Sequence, residues 1–183
     1  MEEGKQGSVK KVNIKKEIIS WILVIVSGFF LAMFVTKVVI VKAQVPTNSM
    51  EDTIMVDDKI IGIRLSYLFS SPKRGDIVIF QYPDNPVEDY VKRVIGLPGE
   101  TVSFLDDKVF IDGVELKEDY IDGKPTIPGD QTEFVVPKGH YFMLGDNRTS
   151  SWDSRFWMDS YVSEDAIKGE VWLRYSPSWG FID

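Results

Sequence analysis

Two side chains in this 183-residue chain stand out for the chemistry they could do together: a serine in a turn-like segment and a lysine inside an apolar run. The serine is Ser49, in Pro46-Thr47-Asn48-Ser49-Met50, and the lysine is Lys92, in Tyr90-Val91-Lys92-Arg93-Val94-Ile95. An ordinary lysine, with a pKa of ~10.4, is only ~0.1% neutral near pH 7.4. Burial disfavours the ammonium and lowers that pKa, and a lysine brought toward ~8 can take a proton from a serine hydroxyl. Alternation along a strand puts Lys92 on the same face as Tyr90 and Val94, with Arg93 on the other. Strand position alone, however, favours a lysine facing solvent.

Two further segments carry polar groups in dense order. Gly75-Asp76-Ile77-Val78-Ile79-Phe80 is one. The other is Gly145-Asp146-Asn147-Arg148-Thr149-Ser150-Ser151-Trp152-Asp153-Ser154-Arg155, which on its own reads as a loop held by Asp–Arg pairs. Competing chemistries are poorly supplied. The chain has no cysteine, so thiol catalysis, disulfides and Cys-based zinc sites are excluded. Its single histidine, His140, rules out a multi-His metal site. His140 is also the one base a Ser–His–Asp hydrolase could use, and it follows Lys138-Gly139 without a nucleophile-elbow motif.

The elements that must position these residues are mostly strands. Short apolar or alternating runs at 38–41, 60–63, 77–80, 90–95, 101–105, 108–111, 133–136, 140–144 and 171–175 are bounded by Gly, Pro, Asp or Asn. Asp106-Asp107 and Asp112-Gly113 are expected hairpin turns. Residues 164–168 read as a short helical turn, and 120–131, with Pro125 and Pro128, as an exposed loop. The fold class expected is mainly β, one domain of mixed antiparallel sheets.

Ahead of this body, residues 18–36 form nineteen uncharged positions, ~28 Å long as a helix and close to the ~30 Å hydrocarbon layer. Lys10, Lys11, Lys15 and Lys16 precede it, so the positive-inside tendency keeps the N-terminus in the cytoplasm and the body outside. A core helix would show a polar face, and this run has none. A cleaved leader would have a shorter apolar region and no Lys37 before a cleavage site such as Val41-Lys42-Ala43. The expected organisation is a basic head at 1–17, a transmembrane anchor at 18–41 and an extracytoplasmic catalytic domain at 42–183. Residues 1–42 hold seven Lys against three Glu, hence +4, which leaves −11 on the remainder of a chain whose net charge is −7. So acidic a body argues against a nucleic-acid partner.

In residues and in order, the four segments resemble the signature boxes of the type I signal peptidase family, and the resemblance runs from the basic head to the last box. The small size and single anchor resemble the shorter enzymes of Gram-positive bacteria. The resemblance implies a β-sheet protease domain behind one membrane helix, acting without a cofactor as a Ser–Lys serine endopeptidase. Its implied partners are signal peptides of secretory preproteins, cut after small residues at −3 and −1, and the lipid bilayer; a monomer is expected. By this resemblance Ser49 is the nucleophile and Lys92 the general base. Thr47 forms the oxyanion hole with the Ser49 N–H, and Ser151 hydrogen-bonds and orients the lysine. Asp153 and Arg155 form a structural pair behind the site, with Asp146 and Arg148 supporting the same loop.

Two positions depart from the family pattern. Asn48 stands where Gly is common, and its tolerance of left-handed backbone would preserve a tight turn. Asp52 stands where Pro is favoured, which would relax the loop and add a negative charge. A self-cleaving Ser–Lys repressor would carry a DNA-binding head instead of an anchor. A silent relative that only binds signal peptides would be expected to lack one of Ser49, Lys92 and Ser151. Leu65, Tyr67, Leu68 and Phe69, or Trp152, Phe156 and Trp157, are candidates either for lipid contact or for core.

Overall fold

The computed structural model describes residues 14–182, so most of the expected basic head lies outside the described residues. The chain divides into two units, 1–37 and 38–183. In the first, helix α1 (Ile14–Phe34) is exposed on every face, and a π-helical turn (Val35–Val39) continues it. Together they are long and apolar enough to cross a membrane. Two of its hydroxyls bond back to the helix: Ser27 to the Val24 carbonyl at 3.0 Å and Thr36 to that of Ala32 at 2.9 Å. Such back-bonding satisfies polar groups where water is absent. The β-branched run at 38–41 does not begin as a strand. Helical geometry persists to Val39 and strand β1 starts at Ile40, two residues inside the segment read as anchor.

The second unit is built of twelve strands: β1 (Ile40–Gln44), β2 (Lys59–Ile63), β3 (Ile77–Tyr82), β4 (Asn85–Gly96), β5 (Thr101–Leu105), β6 (Lys108–Ile111), β7 (Val114–Glu115), β8 (Glu133–Val135), β9 (His140–Leu144), β10 (Val162–Ser163), β11 (Ile167–Ser176) and β12 (Gly180–Phe181). The larger sheet runs β1-β2-β11-β3-β4-β9-β10 with β12 on β11; the smaller runs β7-β6-β5-β8. The hairpin turns fall where expected, and Asp106, Asp107 and Asp112 all take positive φ. Residues 164–166 form one 3-10 turn before β11 begins.

Period two sorts the core. On β3, Ile77 and Ile79 face a cluster with Val45, Met50, Ile54 and Val171, while Val78 and Phe80 face another with Val94, Met143 and Trp157. This strand is buried on both faces, which is why it reads as a continuous apolar run. On β9 the residues alternate likewise, and Phe142 and Leu144 join Phe104 and Phe134 in a third cluster under the small sheet. Gly96 lies in that cluster's path, where a β-carbon would come within 2.5 Å of Val102 and 2.9 Å of Phe142.

The segment expected as an exposed loop, 120–131, is a loop with half its residues exposed that is strapped onto the body at a few points. Thr126 is fully buried, Ile121 is buried, and the Tyr120 ring lies under the Arg93 guanidinium at 4.0 Å. Of the apolar residues assigned to either lipid or core, Trp157 is buried and Tyr67 packs beside it, donating to Asp76 at 2.8 Å. Leu68, Phe69 and Trp152 are exposed, and Phe156 is marginally so.

Candidate active site

Lys92 sits in the middle of β4, opposite Val78 of β3, and is 3% exposed. On its other side β9 pairs only as far down as Arg93, opposite Leu144. Beyond that point the chain leaves the sheet at Gly145, and the polar 145–155 segment begins. Burial pulls the Lys92 pKa down to about 8. Asp153 and Asp146 pull it back up, and Arg155 opposes them. Desolvation wins, as expected for an ammonium with no carboxylate in direct contact. Lys92 Nζ donates to Ser49 Oγ at 2.5 Å and lies 5.6 Å from the centre of the Tyr90 ring.

Ser49 is presented by a turn rather than a strand. The chain leaves β1, is pinned by Val45 N–H to the Asp58 carbonyl at 3.0 Å, and tightens through Glu51 N–H to the Asn48 carbonyl at 3.1 Å. Met50 and Ile54 anchor the turn in the core. Thr47 Oγ1 lies 3.3 Å from Ser49 Oγ. The two departures from the family pattern behave differently from expectation. Asn48 has no positive φ, so no left-handed residue is needed there. Asp52 does, at +84°, and its carboxylate pairs with Lys124 of the strap. The loop is held at that position rather than relaxed, and the added charge is neutralised.

The 145–155 segment clasps the turn that carries Ser49. Asn147 N–H donates to the Ser49 carbonyl at 3.1 Å, and its side-chain amide donates to the Asn48 carbonyl at 3.0 Å. Gly145 runs so close that a β-carbon there would collide with both the Ser49 carbonyl and Ser151 Oγ. Ser151 is buried, yet its hydroxyl has no hydrogen-bond partner among the described residues. The implied bond from Ser151 to Lys92 is therefore not formed.

Three buried guanidiniums hold this segment. Arg155 grips Asp153 with Nε and Nη2, both at 2.8 Å, and both side chains are wholly buried. Asp146 and Arg148 support the segment through separate partners. Asp146 accepts from Arg93 Nε at 2.9 Å and Nη2 at 2.8 Å, and from Thr53 at 2.6 Å. Arg148 forks onto Glu118 at 2.5 and 2.9 Å and also donates to Thr126 and the Gly145 carbonyl. Arg93, Asn147, Glu118, Thr53 and Lys124 were not singled out from the sequence. For Arg93 a signal existed, since it faces away from Lys92 on a strand too apolar to leave it unpaired. Bidentate pairs of this kind fix geometry as well as charge.

Ser49 and Lys92 open into a cavity of about 540 Å³. One wall is the extended segment from Ala43 to Thr47, the other is β4 from Glu88 to Val91, and Trp152 overhangs it. His140 is not among its lining residues; its Nδ1 lies 3.0 Å from the Lys138 carbonyl. Among the described residues no group of His, Asp and Glu is arranged to hold a metal.

This chain is similar in sequence to known proteins. The family model for signal peptidase, peptidase S26, matches residues 18–177. A signal peptidase I of Leptolyngbya laminosa is 40% identical over 140 residues, covering 73% of this chain and 67% of its own length. A signal peptidase I of Pseudomonas fluorescens is 32% identical over 183 residues, and the match covers 76% of this chain but only 64% of that protein. Signal peptidase IB of Staphylococcus aureus (strain COL) is 32% identical over 180 residues, covering 90% of this chain and 92% of its own. The crystal structure of a signal peptidase I from Enterococcus faecalis V583 aligns with a TM-score of 0.46 and 38% identity, over 55% of this chain and 97% of that one. The family match takes in the apolar helix, the Ser49 turn, β4 and the 145–155 segment, and the chain belongs to the signal peptidase family, peptidase S26.

Proposed function

We propose that this chain is a membrane-bound serine endopeptidase that removes N-terminal signal peptides with Ser49 as nucleophile and Lys92 as general base. The observation that carries the reading is the buried Lys92 amine, 2.5 Å from Ser49 Oγ at the end of a walled groove. At an ordinary pKa about 0.1% of such lysines are neutral near pH 7.4, and at about 8 roughly a fifth are, a gain of ~200-fold in usable base.

Neutral Lys92 takes the hydroxyl proton as Ser49 Oγ bonds to the scissile carbonyl carbon. The negative charge that gathers on the carbonyl oxygen is met by the Ser49 N–H and the Thr47 hydroxyl. The Lys92 ammonium then returns its proton to the leaving amine as the peptide bond breaks. Water, deprotonated by the same amine, attacks the acyl-enzyme, and Ser49 leaves with the proton back on its oxygen. Ser151, with a buried hydroxyl and no partner, is assigned to steady the lysine as it cycles. Asp146, Arg148, Asp153 and Arg155 hold the segment that clasps the nucleophile turn.

The substrate segment before the cut lies extended in the groove, with small residues at −1 and −3. The lysines before the apolar run at 18–36 keep the N-terminus in the cytoplasm and the catalytic unit outside, where signal peptides end. The partners are preprotein signal peptides and the bilayer; the enzyme acts as a monomer, and its acidic body gives nucleic acid no footing. The deciding experiment is cleavage of a purified precursor in detergent by wild type, Ser49→Ala and Lys92→Ala. A cut after the small-residue motif, lost in both variants, supports the dyad. Activity that survives Lys92→Ala sinks it. A folded wild type that binds the precursor without cutting would instead identify a silent binding relative.

A further inference from the structure

We infer that Glu88 makes the substrate groove selective by charge, favouring a basic side chain and disfavouring an acidic one at position −5 of the precursor. The inference rests on the reading above, because it counts positions from a cut at Ser49.

Glu88, Tyr90 and Lys92 occupy alternate positions on β4; its pairing to β3 keeps register from Arg93 to Asp89, and Glu88 stands one residue beyond, where the register shifts toward Asn85. Alternation puts Tyr90 and Lys92 on one face, and Glu88 continues the same wall of the groove, which all three line. Four residues of strand separate Glu88 from Lys92 by ~13 Å. A substrate lying extended beside β4 advances at the same rise. With −1 beside Lys92, position −3 falls beside Tyr90 and −5 beside Glu88. The first two must be small; the third is the first position where size is free and charge can be read.

The groove's charges leave Glu88 as the group that reads it. The facing wall, from Ala43 to Thr47, carries no charged side chain. Asp89 also lines the groove, but Lys168 pairs with it at 2.7 Å. Glu88 accepts from the Asn85 amide at 2.9 Å, a neutral partner that leaves its charge in place. Beside it, Tyr90 stacks on Tyr82 with centroids 4.4 Å apart and planes 4° from parallel, and Trp152 donates to the Tyr82 hydroxyl at 3.3 Å. That aromatic surface suits the aliphatic stem of a lysine or arginine whose head reaches a carboxylate. The chemistry selected is an exported precursor with a basic residue at −5.

Glu88 is exposed, so the discrimination is modest and sensitive to salt. Ion pairs of this class change affinity by about two- to fivefold. Attraction of Lys and repulsion of Glu together give a Lys-to-Glu preference of roughly tenfold at low ionic strength, compressed at high salt. The test uses the full-length enzyme in detergent and one precursor carrying Lys, Gln or Glu at each position from −7 to +4 except −3 and −1, which stay small. The readout is the ratio of kcat/KM for Lys over Glu, taken within each enzyme. Expected is a preference for Lys that peaks at −5 in the wild type, falls to near one in Glu88→Gln and inverts in Glu88→Lys. A −5 ratio unaltered in both variants, or a peak elsewhere, overturns the inference. The Gln substrate reports on the underlying reading separately. If Ser49→Ala still cuts it, the dyad and the count from it fall together. If only enzymes with Ser49 cut it and the ratio stays flat, the charge inference alone falls.

Discussion

The backbone N–H of Asn147 donates to the carbonyl of Ser49, and the side chain of the same asparagine donates to the carbonyl of Asn48. One residue thus holds two successive carbonyls of the Ser49 turn, and a weaker contact at 3.3 Å reaches Glu51 as well. Asn147→Ala keeps the backbone bond and loses the side-chain ones, at a cost of about 1–2 kcal/mol in stability. Activity should suffer more, because a small displacement of the attacking atom costs about ten- to hundredfold. The expected result is a fall in kcat with KM nearly unchanged. Asn147→Asp should be worse than Ala, since it sets a carboxylate against the Asn48 carbonyl and Glu51.

The depressed pKa of Lys92 sets the direction of the pH profile. The base form is the unprotonated one, and burial lowers its pKa from 10.5 to about 8. Activity is therefore present above about pH 8 and lost as pH falls through it, by about tenfold per unit in kcat/KM once well below. A profile that is flat from pH 6 to 9 would remove Lys92 as the base.

Asp52 is a position where restoring the residue the family favours should do harm. Its φ is +84°, whereas proline is fixed near −65°. Asp52→Pro must rebuild the turn that carries Ser49, and loss of cleavage together with a lower Tm is expected. Asp52→Gly relieves left-handed strain of about 1–2 kcal/mol and gives up a half-exposed pair with Lys124 worth up to about 1 kcal/mol. Its Tm should match or slightly exceed the wild type, as a melting curve of each variant would show.

Ser151 offers a separation of stability from activity. Its buried hydroxyl has no partner, so Ser151→Ala removes a desolvated group and should leave Tm unchanged or raised. If the hydroxyl steadies Lys92 during turnover, kcat falls all the same. A variant as active as the wild type would reduce Ser151 to packing.

Period-two patterning made the strands legible, because a strand such as β3 must bury both faces and shows it as an unbroken apolar run. Partner choice among charges was not legible. Asp146 and Arg148 are neighbours in sequence, yet each takes a distant partner, Arg93 and Glu118, because topology and not spacing decides which guanidinium is within reach. The strap at 120–131 was misread in part for a similar reason. Proline and glycine mark where the chain turns, but not whether it turns onto something, and here Thr126 turns onto Arg148. The end of the anchor was blurred because β-branched residues suit a helix in lipid as well as a strand in a sheet.

The same burial that lowers the Lys92 pKa should weaken the fold. In the unfolded chain its pKa is 10.5, and in the folded one about 8. Between these values the unfolded state holds a proton that the folded state lacks, so stability rises with pH across that window. Below about pH 8 the full penalty is present, on the order of 3 kcal/mol at 1.36 kcal/mol per unit. Methionine fills nearly the same volume without a charge and forfeits the bond to Ser49, worth about 1 kcal/mol. Lys92→Met should therefore melt several degrees above the wild type at pH 6–7, with the gap closing toward pH 10.5, while cutting nothing at any pH. A constant gap across that range would mean that the lysine's charge is not what burial penalises, and an inactive Lys92→Met that melts below the wild type at neutral pH would point to packing instead.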